Sequence, residues 1–183
     1  MTQPEPYAPG PANLAQVQKD GEKWTLTLVR ELRHAPDKVW QALIDPAQLR
    51  EWAPFIADGS LGAVGTVKLT WVGTGTPIDT KVTRAEAPRA LEYGDLRWEL
   101  EACGAGTRLM LWARIDRRFV SMGAAGWHIA FDVLEHLLSG TPIGRLAGGD
   151  AMKFVGWQRL NAEYARQFGI EPPAWPPRAA QKT

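Results

Sequence analysis

Residues 123–140, GAAGWHIAFDVLEHLLSG, limit the possible folds more than any other stretch of the chain. Trp127, Ala130, Phe131, Leu134, Leu137 and Leu138 recur at spacings of three and four against His128, Asp132, Glu135, His136 and Ser139, which is the pattern of an amphipathic helix. At about 100° per residue the apolar arc takes up half of the circumference or more, wider than a coiled-coil seam. Such a helix has to sink into a broad concave surface, and that means a curved sheet or a cavity lined by one. The polar residues read as a solvated face. His128, Asp132 and His136 share it at spacings of four, but three ligands spread over two turns of one helix do not converge on a single ion, so no metal is expected.

The preceding residues can build that sheet. From Trp24 to Leu32 the chain alternates, with Trp24, Leu26, Leu28 and Leu32 on one face of a first strand. Pro36 suits a helix start, and Val39, Trp40, Leu43 and Ile44 recur at helical spacing. Asp45-Pro46 breaks that helix and opens a second short one through Trp52, which Pro54 ends. The period then becomes two around Val67–Trp71, Ile78–Val82, Leu96–Leu100 and Leu109–Ile115, with a short strand at Leu91–Tyr93 and Gly or Pro signals between the runs. Short loops and one polar face per strand indicate an antiparallel meander.

After the long helix, a Thr-Pro and Gly-rich link over 139–149 leads to a second helix predicted at 151–168. Asp150 is its N-cap, Gly169 its C′ residue, and Phe154, Trp157, Leu160, Tyr164 and Phe168 form its apolar side. The expected class is therefore α+β: a curved antiparallel β-sheet wrapped around a long C-terminal helix, two short helices after strand one, and an extra amphipathic helix. Residues 14–170 read as one domain, and 1–13 and 171–183, rich in Pro, Gly, Ala and polar residues, as flexible tails.

Twenty-one basic against 20 acidic residues give a net charge of +1, which leaves no electrostatic footprint for nucleic acid or an anionic membrane. The start has no basic n-region followed by an apolar core, and His128, Asp132, Glu135 and His136 interrupt the most apolar stretch. Neither a signal peptide nor a membrane span is therefore expected. Cys103 is the single cysteine; it excludes an intramolecular disulfide and suits a reducing, cytoplasmic setting. Nine tryptophans in 183 residues indicate a large core, an aromatic-lined pocket, or both.

Three stretches carry a resemblance: LVRELRHAPDKVWQALIDPAQLREWAP (28–54), GTRLMLWARID (106–116) and GWHIAFDVLEHLL (126–138). Together with the element order, they resemble the START/SRPBCC superfamily, and within it the activator-of-Hsp90-ATPase-like branch, over about residues 24–140. The resemblance implies a helix-grip fold with a cavity between sheet and helix. It also implies a function among the binding of a lipid, polyketide or aromatic metabolite, a co-chaperone-like interaction module, and a polyketide cyclase or aromatase. The chain departs from the family after Gly140, where the second helix would extend the cover of the cavity or form a homodimer surface.

If a ligand cavity exists, the inward-facing residues expected to line it are Trp71, Trp98, Leu100, Leu109, Leu111, Trp127, Phe131 and Leu134, with Trp52 and Phe55 at its mouth. The same residues also serve as core. Arg30 and Arg84 are the candidate buried polar groups. His34 and Asp37 read as capping residues of the first short helix. Cys103 has no His or Lys beside it to activate it, and no nucleophile-elbow, zinc, Walker or Rossmann motif is present, so no catalytic residue and no cofactor is assigned.

Overall fold

The computed structural model describes residues 6–172; the expected Pro-rich tail falls outside the described residues beyond Pro172. The elements are β1 (Ala15–Gln18), β2 (Lys23–Leu32), α1 (Pro36–Ile44), α2 (Pro46–Trp52), β3 (Phe55–Ala57), β4 (Gly65–Trp71), β5 (Ile78–Glu86), β6 (Ala90–Tyr93), β7 (Leu96–Cys103), β8 (Gly106–Asp116), α3 (Val120–Leu138), α4 (Gly148–Lys153) and α5 (Val155–Phe168). A single 3-10 turn, Arg117–Phe119, leads into α3. The strands form one curved, open antiparallel sheet in the order β1-β2-β8-β7-β6-β5-β4-β3. The meander from β3 to β8 thus returns to the first long strand, and α3 crosses the concave face.

Asp45 joins the two short helices: it ends α1 and its carboxylate accepts from the Ala47 N–H at 3.0 Å to start α2. The Trp52 indole donates to the Ala42 carbonyl at 2.9 Å and fixes the angle between them. His34 and Asp37 do not cap α1. Its N-cap residue is Ala35, Asp37 contributes only charge to the first turn, and His34 Nε2 lies 3.2 Å from Ser139 Oγ. Two strands escaped the sequence pattern, β1 and β3. They are four and three residues long, one at each sheet edge, too short to show a period. The extra helix is also broken. Phe154 adopts an extended backbone (φ −76°, ψ 128°) between α4 and α5, and Asp150 lies in the first turn of α4 instead of capping α5. Gly169, at φ 70°, closes α5 in the left-handed conformation.

The side of α3 that faces the sheet is packed around Trp98, which is fully buried. Trp52, Trp127 and Phe131 surround it at ring-centroid distances of 6.1, 5.5 and 6.0 Å.

The opposite side of α3 is covered as well, which corrects the reading of it as a solvated face. Trp157, Leu160, Tyr164 and Phe168 of α5 are buried, and α5 packs chiefly on α3. Of the two roles expected for that apolar stripe, covering the domain or forming a homodimer surface, this contact uses it for the first. His128 is only 2 % exposed. The Tyr164 hydroxyl accepts from the Leu14 N–H at 3.2 Å and is hydrogen-bonded to His128 Nδ1 at 2.8 Å. His128 Nε2 lies 3.9 Å from Asp132. Asp132 is ion-paired with Arg30, which projects from the inner face of β2, and it accepts from the Tyr7 hydroxyl. Burial holds the His128 imidazole down at about 4, against the opposing pull of Asp132. The residues read as an N-terminal tail are laid over this cluster: Arg159 Nη2 donates to the carbonyls of Pro9 and Gly10 at 2.6 and 2.9 Å, and the Ala12 N–H donates to Glu163 at 3.2 Å.

Two outcomes follow from this packing. Phe131 has no solvent exposure and does not line the cavity beside α3, so Phe131→Ala should lower unfolding stability by about 3–5 kcal/mol in urea melts. His128 is held neutral, so between its ordinary value of 6.5 and about 4 the native state binds fewer protons than the unfolded chain. Its contribution is therefore intact above that window and is lost as pH falls through it, by up to roughly 3 kcal/mol. Urea melts between about pH 7 and pH 5 should show a decline in wild type that His128→Gln flattens, and equal slopes would refute the assignment.

Candidate ligand cavity

Along the concave face one half is filled and the other is open. Toward the C-terminal half of α3, Trp52, Phe55, Trp98, Leu100, Leu109, Leu111, Phe131 and Leu134 are at most 3 % exposed, and none of them borders the open space. They form solid core. Of the residues expected to line a cavity, the structure brings only Trp71 and Trp127 to its wall. The open half is a cavity of about 560 Å³ beside the N-terminal half of α3.

Its origin is the sequence of the helix itself. Met122, Gly123, Gly126 and Trp127 are the α3 residues that face it, so small side chains stand where bulky ones would fill the space. The two glycines act differently. A Cβ on Gly123 would lie 2.7 Å from Ile115 Cδ1, so that position has close helix–sheet packing; a Cβ on Gly126 would meet nothing within 4 Å. Gly126 thus leaves empty room in mid-helix, where glycine costs about 1 kcal/mol relative to alanine.

The sheet wall comes from Leu69, Trp71 and Val72 at the end of β4, from Ile78 and Thr80 of β5, and from Tyr93, Leu96 and Ala113. The remaining wall is Leu146, Ala147, Gly148, Ala151 and Met152 on and before α4, with Trp157 of α5. Ile78 and Phe119 are 51 % and 45 % exposed, apolar side chains left at its mouth.

The polar groups on this wall are few. Asp95 pairs with Lys23 at 3.3 Å, with both side chains more than half exposed, and Arg114 is exposed. The Tyr93 hydroxyl accepts from the Trp98 indole at 3.1 Å, and burial raises it well above the ordinary phenol range. The wall therefore offers area burial and aromatic contact, with no buried carboxylate or imidazole on it. Arg84 is only half-buried and is paired with Glu86 at 2.9 Å, which corrects its reading as a buried group. Arg30 is nearly buried but belongs to the Asp132 cluster. Cys103 sits at the end of β7, 3.7 Å from a Glu31 oxygen and off the cavity wall. Among the described residues no group of three or more His, Cys, Asp or Glu could hold a metal ion, and no helix is long and apolar enough to cross a membrane.

Sequence reasoning missed Met122, Gly126, Leu146, Met152 and Trp157 as lining. The available signal was the run GAAG at 123–126, where a helix facing a concave sheet carries almost no side-chain volume.

Comparison with solved structures confirms the fold. The conserved protein of unknown function EF2215 from Enterococcus faecalis is 16 % identical, with a TM-score of 0.66 over 86 % of this chain and 92 % of its own. CalU16 from Micromonospora echinospora is 19 % identical, with a TM-score of 0.59 over 85 % and 92 %. MLL2253 from Mesorhizobium loti is 23 % identical, with a TM-score of 0.56; 99 % of its length matches 65 % of this chain, so about a third of this chain lies outside that shared core. No curated protein sequence matches significantly. The family described as Activator of Hsp90 ATPase homolog 1-like protein matches residues 33–139, from the end of β2 to the end of α3. That match covers more than half of the chain and agrees with the sheet and the gripped helix, so the protein belongs to the Activator of Hsp90 ATPase homolog 1-like family of the SRPBCC superfamily.

Proposed function

We propose that this protein binds one small, uncharged, largely apolar molecule, such as a lipid fragment, polyketide or aromatic metabolite, in the cavity beside the N-terminal half of α3, as a cytoplasmic carrier or receptor. The observation that carries this reading is Gly126: a helix-weakening residue keeps open an apolar space of about 560 Å³ walled by Trp71, Trp127 and Trp157. That volume lies within the range of roughly 300–1,000 Å³ usual for small-molecule sites. Binding is favoured over a cyclase reaction because the one buried titratable group on the wall, Tyr93, is held protonated far above neutral pH. A charged ligand would lose hydration without gaining a buried counter-charge.

Titration with the uncharged fluorophore N-phenylnaphthylamine should quench tryptophan emission saturably, at one site per chain. Gly126→Leu should abolish that signal while the protein stays folded, and Gly126→Ala should raise stability by about 0.5–1 kcal/mol through helix propensity. Unchanged binding by Gly126→Leu would place the probe elsewhere, and absence of saturable binding by any apolar compound in the wild type would defeat the reading.

A further inference from the structure

We propose that Pro142–Lys153 is a hinged lid over the cavity, latched shut by the N-terminal segment through Tyr7. The inference rests on the ligand-binding reading for what the lid admits, although not for its motion. Leu146, Ala147, Gly148, Ala151 and Met152 make one wall of the cavity, so outward movement of this segment would widen the mouth at Ile78 and Phe119. It is weakly held. The backbone from Pro142 to Leu146 makes no hydrogen bond to the sheet or to α3, and α4 packs chiefly on α5.

The two ends of the segment have the geometry of hinges. At its start, Gly140 just outside it and Gly144 just inside it stand at φ 76° and 85°, conformations that other residues adopt with strain. After it, Phe154 interrupts the helix with its extended backbone. Between them, Gly148 at φ 62° closes against the far rim: a Cβ there would lie 2.9 Å from Val72 Cγ1 and 3.0 Å from the Val72 carbonyl. That approach joins the segment to the far rim of the cavity.

The latch is at the second hinge. The Phe154 ring stacks on Tyr7 at 5.8 Å and 24°, and the Tyr7 hydroxyl donates to Asp132, which Arg30 holds from the sheet. A Cβ on Gly156 would meet both the Phe154 ring and Pro9 at 2.6 Å, so the start of α5 is cut away to let the N-terminal segment and the hinge pack together. Swinging α4 outward turns Phe154 off Tyr7. The state of the N-terminal segment thereby governs access to the cavity.

The test locks the lid. Val72→Cys with Gly148→Cys, in a Cys103→Ala background, places the two Cβ atoms within about 4.5 Å, inside disulfide reach. In stopped-flow mixing with N-phenylnaphthylamine, the oxidised protein should associate and release the probe at least about tenfold more slowly than the reduced protein, with reversal on reduction. Tyr7→Ala, which needs no strained residue, should speed both steps. Equal rates in oxidised and reduced protein would overturn the lid, and unchanged rates in Tyr7→Ala would overturn the latch. Hydrogen exchange separates this from a failure of the binding reading. The amides of α4 should exchange at least about tenfold faster than those of α3 and α5 even if no probe binds. Protection of α4 equal to that of α5 would refute the lid on its own.

Discussion

Everything in this structure depends on the need to cover α3 on both sides. Twelve of its nineteen residues are buried, and they do not form one stripe: Trp127, Phe131 and Leu134 turn toward the sheet while Ser121 and His128 turn away from it and are just as inaccessible. A helix of this kind is a central layer. The sheet supplies one cover, and α5 with the N-terminal segment supplies the other. The two halves of the second cover hold each other, through Arg159 on the carbonyls of Pro9 and Gly10 and through Leu14 on Tyr164. The C-terminal extension is therefore part of the core in this chain.

The second cover is organised by polar groups. The Tyr164 hydroxyl accepts a backbone N–H and is hydrogen-bonded to His128, whose other ring nitrogen lies 3.9 Å from Asp132. Ser121 repeats the pattern one end away, donating to Asn161 at 2.7 Å. Arg30 reaches this layer from the concave face of the sheet, so Asp132 is bound from β2, from the N-terminal segment and from its own helix face at once. A desolvated pair of this sort adds little net stability over an apolar replacement but costs several kcal/mol when one partner is removed. Its effect is on register: it permits one placement of α3 between its covers.

Much of this was legible in the sequence. The period-two runs located β2 and the long strands of the meander, and Asp45-Pro46 marked the junction between α1 and α2, because alternation and proline chemistry act over a few residues. The stripe Trp157, Leu160, Tyr164, Phe168 and the Gly169 stop were visible for the same reason. What could not be read was which distant segment lies on a given face. The arc of His128, Asp132 and His136 looks the same whether water or Tyr164 and Tyr7 meet it, and the residues that decide the matter are remote in sequence from it. The cavity was misplaced by half the helix for a related reason. Bulky residues were taken as lining, whereas Trp98 and Phe131 fill their half and Gly126 leaves room in the other.

The longest strand pairing in the sheet joins β2 to β8, from Lys23 opposite Asp116 to Leu32 opposite Thr107. These two neighbouring strands are thus made from segments separated by two helices and five intervening strands. Loop closure over such a distance is entropically costly before any contact repays it, and folds dominated by such pairings form slowly. During synthesis, the β1–β2 hairpin emerges with one edge unsatisfied and stays so until β8 is made. The groove that receives α3 does not exist before then, and the layer over α3 cannot close until Tyr164 and Phe168 have followed. The tertiary structure therefore closes only once α5 has been made, and until then the exposed strand edge and the apolar helix depend on protection from other chains.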